Sequence, residues 1–360
     1  EITTRLVGSE MCIRDSSDED NLTDAELQEQ YKKVSIEIMC LGTGGTTPPY
    51  GYFLTATKLT DGKYNNVNIS GSGGKTKFKL DSNGELQINM GGMSTAPYSF
   101  RVIETYDGTD YTTDEPKEFS MGDGNPNNII ELDDILIENK LKPGTVVIDK
   151  EFLGVDGNSE IVTDAQLAQV EFEINDSKND TLSFSGSAGN YTYDTAGTVT
   201  QLKLGTDSKL TVSGLPSRQT YTIAETSGAT GYSFTIDPVT FEITPNGTVS
   251  KKFTNKAMTG NIVIQKHTLD NVLSGWKFRV HGTALTGQTY DKTYTTDAQG
   301  KIIISNLRIG TYTVEEVTTG VVGYITPENR TVEVKYNKTV TVNMQNTPCL
   351  LYTSDAADDK

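Results

Sequence analysis

Asp297-Ala-Gln-Gly-Lys-Ile-Ile-Ile-Ser-Asn-Leu-Arg-Ile-Gly-Thr-Tyr-Thr-Val-Glu-Glu316 decides the fold. It is a turn, an apolar run, a second turn at Ile309-Gly310, and then an aromatic–x–apolar–x–Glu strand. Alternation with a period of two, bounded by Gly, Asn and Asp, is the signature of a half-buried strand. The same block recurs upstream as Leu210-Thr-Val-Ser-Gly-Leu-Pro-Ser-Arg-Gln-Thr-Tyr-Thr-Ile-Ala-Glu225. A looser version runs from Leu86-Gln-Ile-Asn to Tyr98-Ser-Phe-Arg-Val-Ile-Glu104. Each block is followed by an apolar strand ending in Asn: Ile135–Asn139, Lys251–Asn255 and Val340–Asn346. Repetition of this kind predicts three tandem β units, with boundaries near 140 and 258.

The rest of the chain agrees with an all-β reading. Helical signal is confined to Asn21–Lys33, with Thr23 as N-cap. Short runs of Val, Ile, Thr, Tyr and Phe are broken at Asp61-Gly62, Asn83-Gly84 and Asn246-Gly247. That spacing predicts tandem Ig-like or prealbumin-like β-sandwiches at 34–139, 140–257 and 258–348. Residues 17–33 form an acidic linker or short helix. The short connections predict a stiff rod.

The two ends read differently. Met11–Ser16 (MCIRDS) and Cys349–Ser354 (CLLYTS) can be encoded by DNA whose strands are reverse complements of one another. Residues 1–16 and 349–360 are therefore expected to be translated sequencing adaptors, with 17–348 an internal fragment of a longer protein. On that expectation Met11 is no start codon, and Cys40 is the single natural cysteine.

Composition excludes several functions. The chain has 360 residues and 48 Asp+Glu against 31 Lys+Arg, a net charge of −17. A polyanion is unsuited to nucleic acid or an anionic membrane surface. Two His and three Cys leave no metal site or disulfide framework to expect. No apolar stretch reaches membrane-spanning length. No cofactor is called for.

Three strands of each unit carry a polar residue in phase with the core-facing set. In the last unit these are Ile262, Ile264 and Lys266; Tyr312, Val314 and Glu316; and Val340, Val342, Met344 and Asn346. In the middle unit they are Val146, Ile148 and Lys150; Tyr221, Ile223 and Glu225; and Phe253 and Asn255. Side chains two apart share a face, so an amine, a carboxyl and a carboxamide are expected to meet in an apolar core. Each is unfavourable there alone. Together they can hydrogen-bond and also react. A desolvated lysine loses its proton and becomes a nucleophile, and a buried carboxyl can shuttle protons. Attack on the Asn side-chain carbonyl expels ammonia and leaves an amide. This is single-turnover self-modification, not enzymatic catalysis. A lone strand lysine is ordinarily a solvated edge residue; the same phase in three strands of two units favours the reactive reading.

Residues 258–348 resemble a Cna-B/SpaA-type repeat of Gram-positive surface proteins. The matching pieces are Gly260-Asn-Ile-Val-Ile-Gln-Lys266, Gly275-Trp-Lys-Phe278, Leu307-x-x-Gly310-x-Tyr312-x-Val314-x-Glu316, Gly323-Tyr324 and Asn346-Thr-Pro348. Residues 140–257, and more loosely 34–139, resemble related isopeptide-forming domains of pilins and adhesins. The resemblance implies Lys150–Asn255 and Lys266–Asn346 bonds, assisted by Glu225 and Glu316. It also implies an extracellular, cell-wall-anchored adhesin or pilin stalk, attached to peptidoglycan through a C-terminal region outside this chain. The first unit departs from the pattern. Glu104 and Asn139 fit, but Ile38 stands where Lys150 lies, and Lys32 or Lys33 would serve only after a register slip.

Two alternatives accompany the stalk reading. The first unit could be a head that binds a host glycan or matrix protein through loops at Tyr64–Lys75 and Met121–Asn128. The repeats could instead be accessories of a large secreted enzyme. Minor signals point to structure: Gly74-Lys75-Thr76 to a hairpin turn, Asp123–Asn127 to a turn that is no calcium loop, His267 and His281 to strand positions, and Trp276 and Cys40 to core.

Overall fold

The computed structural model describes residues 2–7, 10–15, 23–43, 52–71, 73–88, 98–113, 115–121, 139–317 and 323–348. The chain divides into two compact units, residues 1–145 with 213–220 and 242–249, and residues 146–212, 221–241 and 250–360. Strands Ile2–Val7 and Glu10–Asp15 pair antiparallel. Residues 349–360 lie outside the described residues.

A helix spans Asp24–Lys33. Thr23 caps it reciprocally: its hydroxyl accepts from Glu26 N, and the Glu26 carboxylate accepts from Thr23 N at 2.8 Å. Val34 ends the helix and opens the strand Val34–Thr43. That strand sits inside a six-stranded sheet ordered Gln87–Ile88, Lys63–Ser70, Phe53–Thr60, Val34–Thr43, Tyr98–Tyr106 and Lys117–Met121. Ile36, Ile38, Leu54, Phe78, Phe100 and Val102 form its buried core. The expected loop Tyr64–Lys75 is a correction. Tyr64–Ser70 belongs to a strand paired with Phe53–Thr60, because Tyr64, Val67 and Ile69 pack against the core. The expected hairpin turn at Gly74-Lys75-Thr76 is a second. The chain bends at Gly73 (φ 81°), and Thr76 N then donates to Leu54 O as in extended pairing. Asp123–Asn127, most of Met121–Asn128, and the closing strand expected up to Asn139 lie outside the described residues.

The middle sandwich has a six-stranded sheet ordered Phe184–Ser187, Asn190–Tyr193, Lys209–Leu215, Gly144–Leu153, Thr248–Ala257 and Tyr232–Ser233. Its second sheet runs Leu202–Lys203, Glu171–Asn175, Gln219–Ser227 and Val239–Ile243. Phe172 of one sheet meets Phe253 of the other edge to face, 5.1 Å between ring centres. A short helix, Asp164–Leu167, was not foreshadowed by periodicity.

The last sandwich repeats the plan with four strands in each sheet. One sheet is ordered Lys301–Arg308, Thr259–Thr268, Thr339–Pro348 and Tyr324–Ile325. The other is ordered Thr289–Thr295, Lys277–Ala284, Gly310–Glu316 and Arg330–Val334. The first and last strands pair in parallel, Ile262 with Val340, Lys266 with Met344 and Thr268 with Asn346. Near the start of the first strand of the middle and last sandwiches stands a glycine, for a steric reason. A Cβ on Gly260 would stand 2.3 Å from Lys335 O, and one on Gly144 would stand 2.5 Å from the Ile243 side chain.

Candidate functional site

Alternation carries the polar residues inward. Along Gly144–Leu153 the buried positions are Gly144, Val146, Ile148, Lys150 and Phe152; along Thr259–Thr268 they include Ile262, Ile264 and Lys266. Glu225 and Glu316 end the buried faces of strands in the opposite sheets. Asn255 and Asn346 lie on the last strands, beside the lysine strands.

The structure brings each trio together. Lys150 Nζ donates to Glu225 Oε2 at 2.6 Å, and Asn255 Nδ2 donates to Glu225 Oε1 at 2.6 Å. In the last sandwich Lys266 Nζ donates to Glu316 Oε2 at 3.1 Å and to Asn346 Oδ1, while Asn346 Nδ2 donates to Glu316 Oε1 at 2.7 Å. One carboxyl thus bridges amine and carboxamide twice. The lysine and glutamate side chains of both sites are at most 1% exposed. Burial pushes the Lys150 and Lys266 amines below the ordinary lysine value, against the opposing pull of the glutamate hydrogen bonds.

An aromatic wall, not anticipated in the sequence, encloses each amine. Lys150 Nζ lies 5.5 Å from the Phe152 ring centre, and Lys266 Nζ lies 4.0 Å from that of Trp276. The Trp276 ring is fixed by its Nε1–H, which donates to Val272 O at 2.8 Å. A tyrosine packs edge-on against each wall: Tyr232 on Phe152 at 5.0 Å and Tyr324 on Trp276 at 5.2 Å. Tyr232 is paired with Ala257, two residues past Asn255; Tyr324 is paired with Pro348, two past Asn346. Each hydroxyl donates to an acid, Glu160 or Asp270. The signal was present in the Gly231-Tyr232 and Gly323-Tyr324 dipeptides, which stand at nearly the same distance before the closing Asn.

Among the described residues of the first unit, two of the three groups meet. Asn139 Nδ2 donates to Glu104 Oε1 at 2.6 Å, and the Asn139 carbonyl oxygen is buried without a hydrogen-bond partner. Ile38 is buried and pairs with Val102, while Ile36 is the direct partner of Glu104. Lys32 and Lys33 lie in the helix, where they bond to Glu29 and Gln30.

The minor signals fall elsewhere. Lys75 pairs with Glu37 at 2.8 Å. His267 Nε2 meets Asn343 Oδ1 at 3.3 Å, and His281 lies 3.8 Å from Glu315. Cys40 is a buried thiol whose pKa burial pushes up. No group of His, Cys, Asp and Glu among the described residues is placed to hold a metal. No helix among them is long and apolar enough to cross a membrane.

A family model for the SpaA prealbumin-like fold domain matches residues 159–257 and again 260–348. The chain belongs to the SpaA prealbumin-like domain family. The middle and last sandwiches are its two tandem SpaA modules, and the matches leave the first unit outside them. Among solved structures, the Bacillus anthracis TIE protein is similar at 19% identity and a TM-score of 0.50, over 88% of this chain and 47% of that one. The chain therefore spans about half the length of that relative. The Streptococcal ancillary pilin is similar at 17% identity and a TM-score of 0.30, over 76% of this chain and 81% of that one. The C-terminal fragment of the pilus adhesin SpaC from Lactobacillus rhamnosus GG is similar at 13% identity and a TM-score of 0.36, over 57% and 98%. No curated protein matches the chain.

Proposed function

We propose that this chain is a force-carrying stretch of a Gram-positive surface protein, a pilin-like or adhesin stalk. In this reading its two SpaA modules each close one Lys–Asn isopeptide bond without outside help. The observation that carries it is the duplicated trio, in which a buried carboxyl touches both the amine and the carboxamide in each module. The neutral Lys Nζ attacks Asn Cγ, and the carboxyl carries a proton from the attacking nitrogen to the leaving one. The Nζ–Cγ bond forms, the Cγ–Nδ2 bond breaks, and ammonia departs. Glu225 serves Lys150 and Asn255; Glu316 serves Lys266 and Asn346. The modules would stand outside the cell, joined to the wall through a further region of the parent protein.

The placement has a mechanical meaning. Each lysine is on the first strand and each asparagine on the last, so tension between module ends passes through the covalent link. Lys266 and Asn346 are 80 residues apart, and that length stays hidden from the pulling force. By analogy with a disulfide, closing such a loop contributes about 4–5 kcal/mol. Single-molecule pulling tests the reading. The modules should stay unextended until the chain detaches, whereas Lys266→Ala should release roughly 270 Å of extra contour from the last module. Release of that length from the unaltered chain would defeat the proposal.

A further inference from the structure

The two SpaA modules meet through a polar joint. Arg308 of the last module grips Glu160 of the middle one in a bidentate pair, Nη1 to Oε1 at 3.0 Å and Nη2 to Oε2 at 2.5 Å. Both side chains are more than four-fifths buried. The joint is built for this pair, since a Cβ on Gly154 would stand 3.0 Å from Glu160 Oε2 and 3.3 Å from Arg308 Nη2. Backbone bonds close it from the other side: Met258 N donates to Gly231 O at 2.8 Å and Ile309 N to Met258 O at 3.1 Å.

The joint leads into the middle cross-linking centre by direct contacts. Tyr232 donates its hydroxyl to the same Glu160 Oε1 that Arg308 holds. Its ring packs edge-on against Phe152, and the Phe152 ring lies by Lys150 Nζ. Glu160 N also donates to Phe152 O at 2.8 Å, so the acid fixes this aromatic by both backbone and side chain. Tyr232 further pairs with Ala257, beside the strand end that carries Asn255. Both reacting strands are therefore braced by groups that Arg308 orients.

We infer that Arg308 is a positioning residue for bond formation in the neighbouring module. It acts through Glu160, Tyr232 and Phe152, so the middle module matures at full rate only once the last module has docked. The inference rests on the cross-linking reading above. Without the guanidinium, a largely buried carboxylate loses its countercharge and turns towards water. Tyr232 then loses its acceptor, the Phe152 wall loosens, and Lys150 is rehydrated and held less closely against Asn255. The last module supplies an internal control. Its counterpart acid, Asp270, bonds Tyr324 at an exposed position, and its amine wall is the larger Trp276, pinned within its own module.

The test is cell-free synthesis of the full chain, sampled over time, with intact mass counting ammonia losses and peptide mapping assigning each bond. Arg308→Met should slow the Lys150–Asn255 bond about tenfold and leave Lys266–Asn346 at its normal rate. Arg308→Lys should restore part of the loss. Normal rates at both sites in Arg308→Met overturn the inference. If both bonds slow together, the substitution has disturbed folding of the last module, and Glu160→Gln decides: selective slowing of the middle bond supports the inference, an unchanged rate overturns it. An unaltered chain that forms neither bond fails the cross-linking reading itself, and this inference with it.

Discussion

The first unit and the SpaA modules share a carboxyl–carboxamide pair, half-buried in the first and buried in the others, and among the described residues only the modules add an amine. Glu104–Asn139, Glu225–Asn255 and Glu316–Asn346 are the same hydrogen bond, at 2.6, 2.6 and 2.7 Å. In the modules a lysine completes the trio. In the first unit the strand beside Glu104 presents Ile36 and Ile38. Strand neighbours differ as well. Val34–Thr43 pairs directly with the glutamate strand Tyr98–Tyr106, whereas in each module the first strand lies beside the last and the glutamate reaches across from the opposite sheet. In each module a lysine on the first strand, beside the last, joins that pair.

The comparison can be broken hardest at Lys266. Lys266→Ala removes the link, a loss of about 4–5 kcal/mol. The last module should then unfold in denaturant well before the middle one, followed by limited proteolysis. Next in size is the carboxyl. Glu225→Gln or Glu316→Gln preserves shape but removes the proton carrier, so the bond in that module should form about 10²- to 10⁴-fold more slowly and the other at its normal rate, read by peptide mass.

Acidity should act on both modules alike. Burial holds both amines below the ordinary lysine value, and only the neutral amine attacks. Bond formation should therefore slow as pH falls through the depressed pKa of these amines. In Asn255→Ala and Asn346→Ala chains no bond forms at the altered site. There the folded state binds fewer lysine protons than the unfolded chain, so stability is fullest above the unfolded lysine pKa and is lost as pH falls through the folded one. The smallest effect is expected at the wall. Trp276→Phe should slow the last bond only a few-fold and cost about 1–3 kcal/mol, making that centre resemble the Phe152 site.

Much of this was legible in sequence because strands have a period of two. Once Ile262, Ile264 and Lys266 fall on one face, the lysine must enter the core, and the same holds for Glu316 and Asn346. Thr23 announced its helix as an N-cap. What stayed hidden depends on contacts between distant segments. Tyr232 on Phe152 and Tyr324 on Trp276 are set by how short edge strands fold back over the core, which no local pattern encodes. The Arg308–Glu160 pair joins residues 148 positions apart. Tyr64–Lys75 misled because its Asn and Gly content outweighed Val67 and Ile69, whose burial holds the strand.

The most direct measurement is the intact mass of the full chain under denaturing conditions. Each bond expels one ammonia, about 17 Da, and two bonds predict a deficit of about 34 Da. Lys150→Ala and Lys266→Ala should each halve it. An unmodified mass would contradict the account, leaving Lys150 and Lys266 as buried ion-paired residues of an ordinary β repeat. A third ammonia loss mapped to Asn139 would contradict the contrast drawn for the first unit.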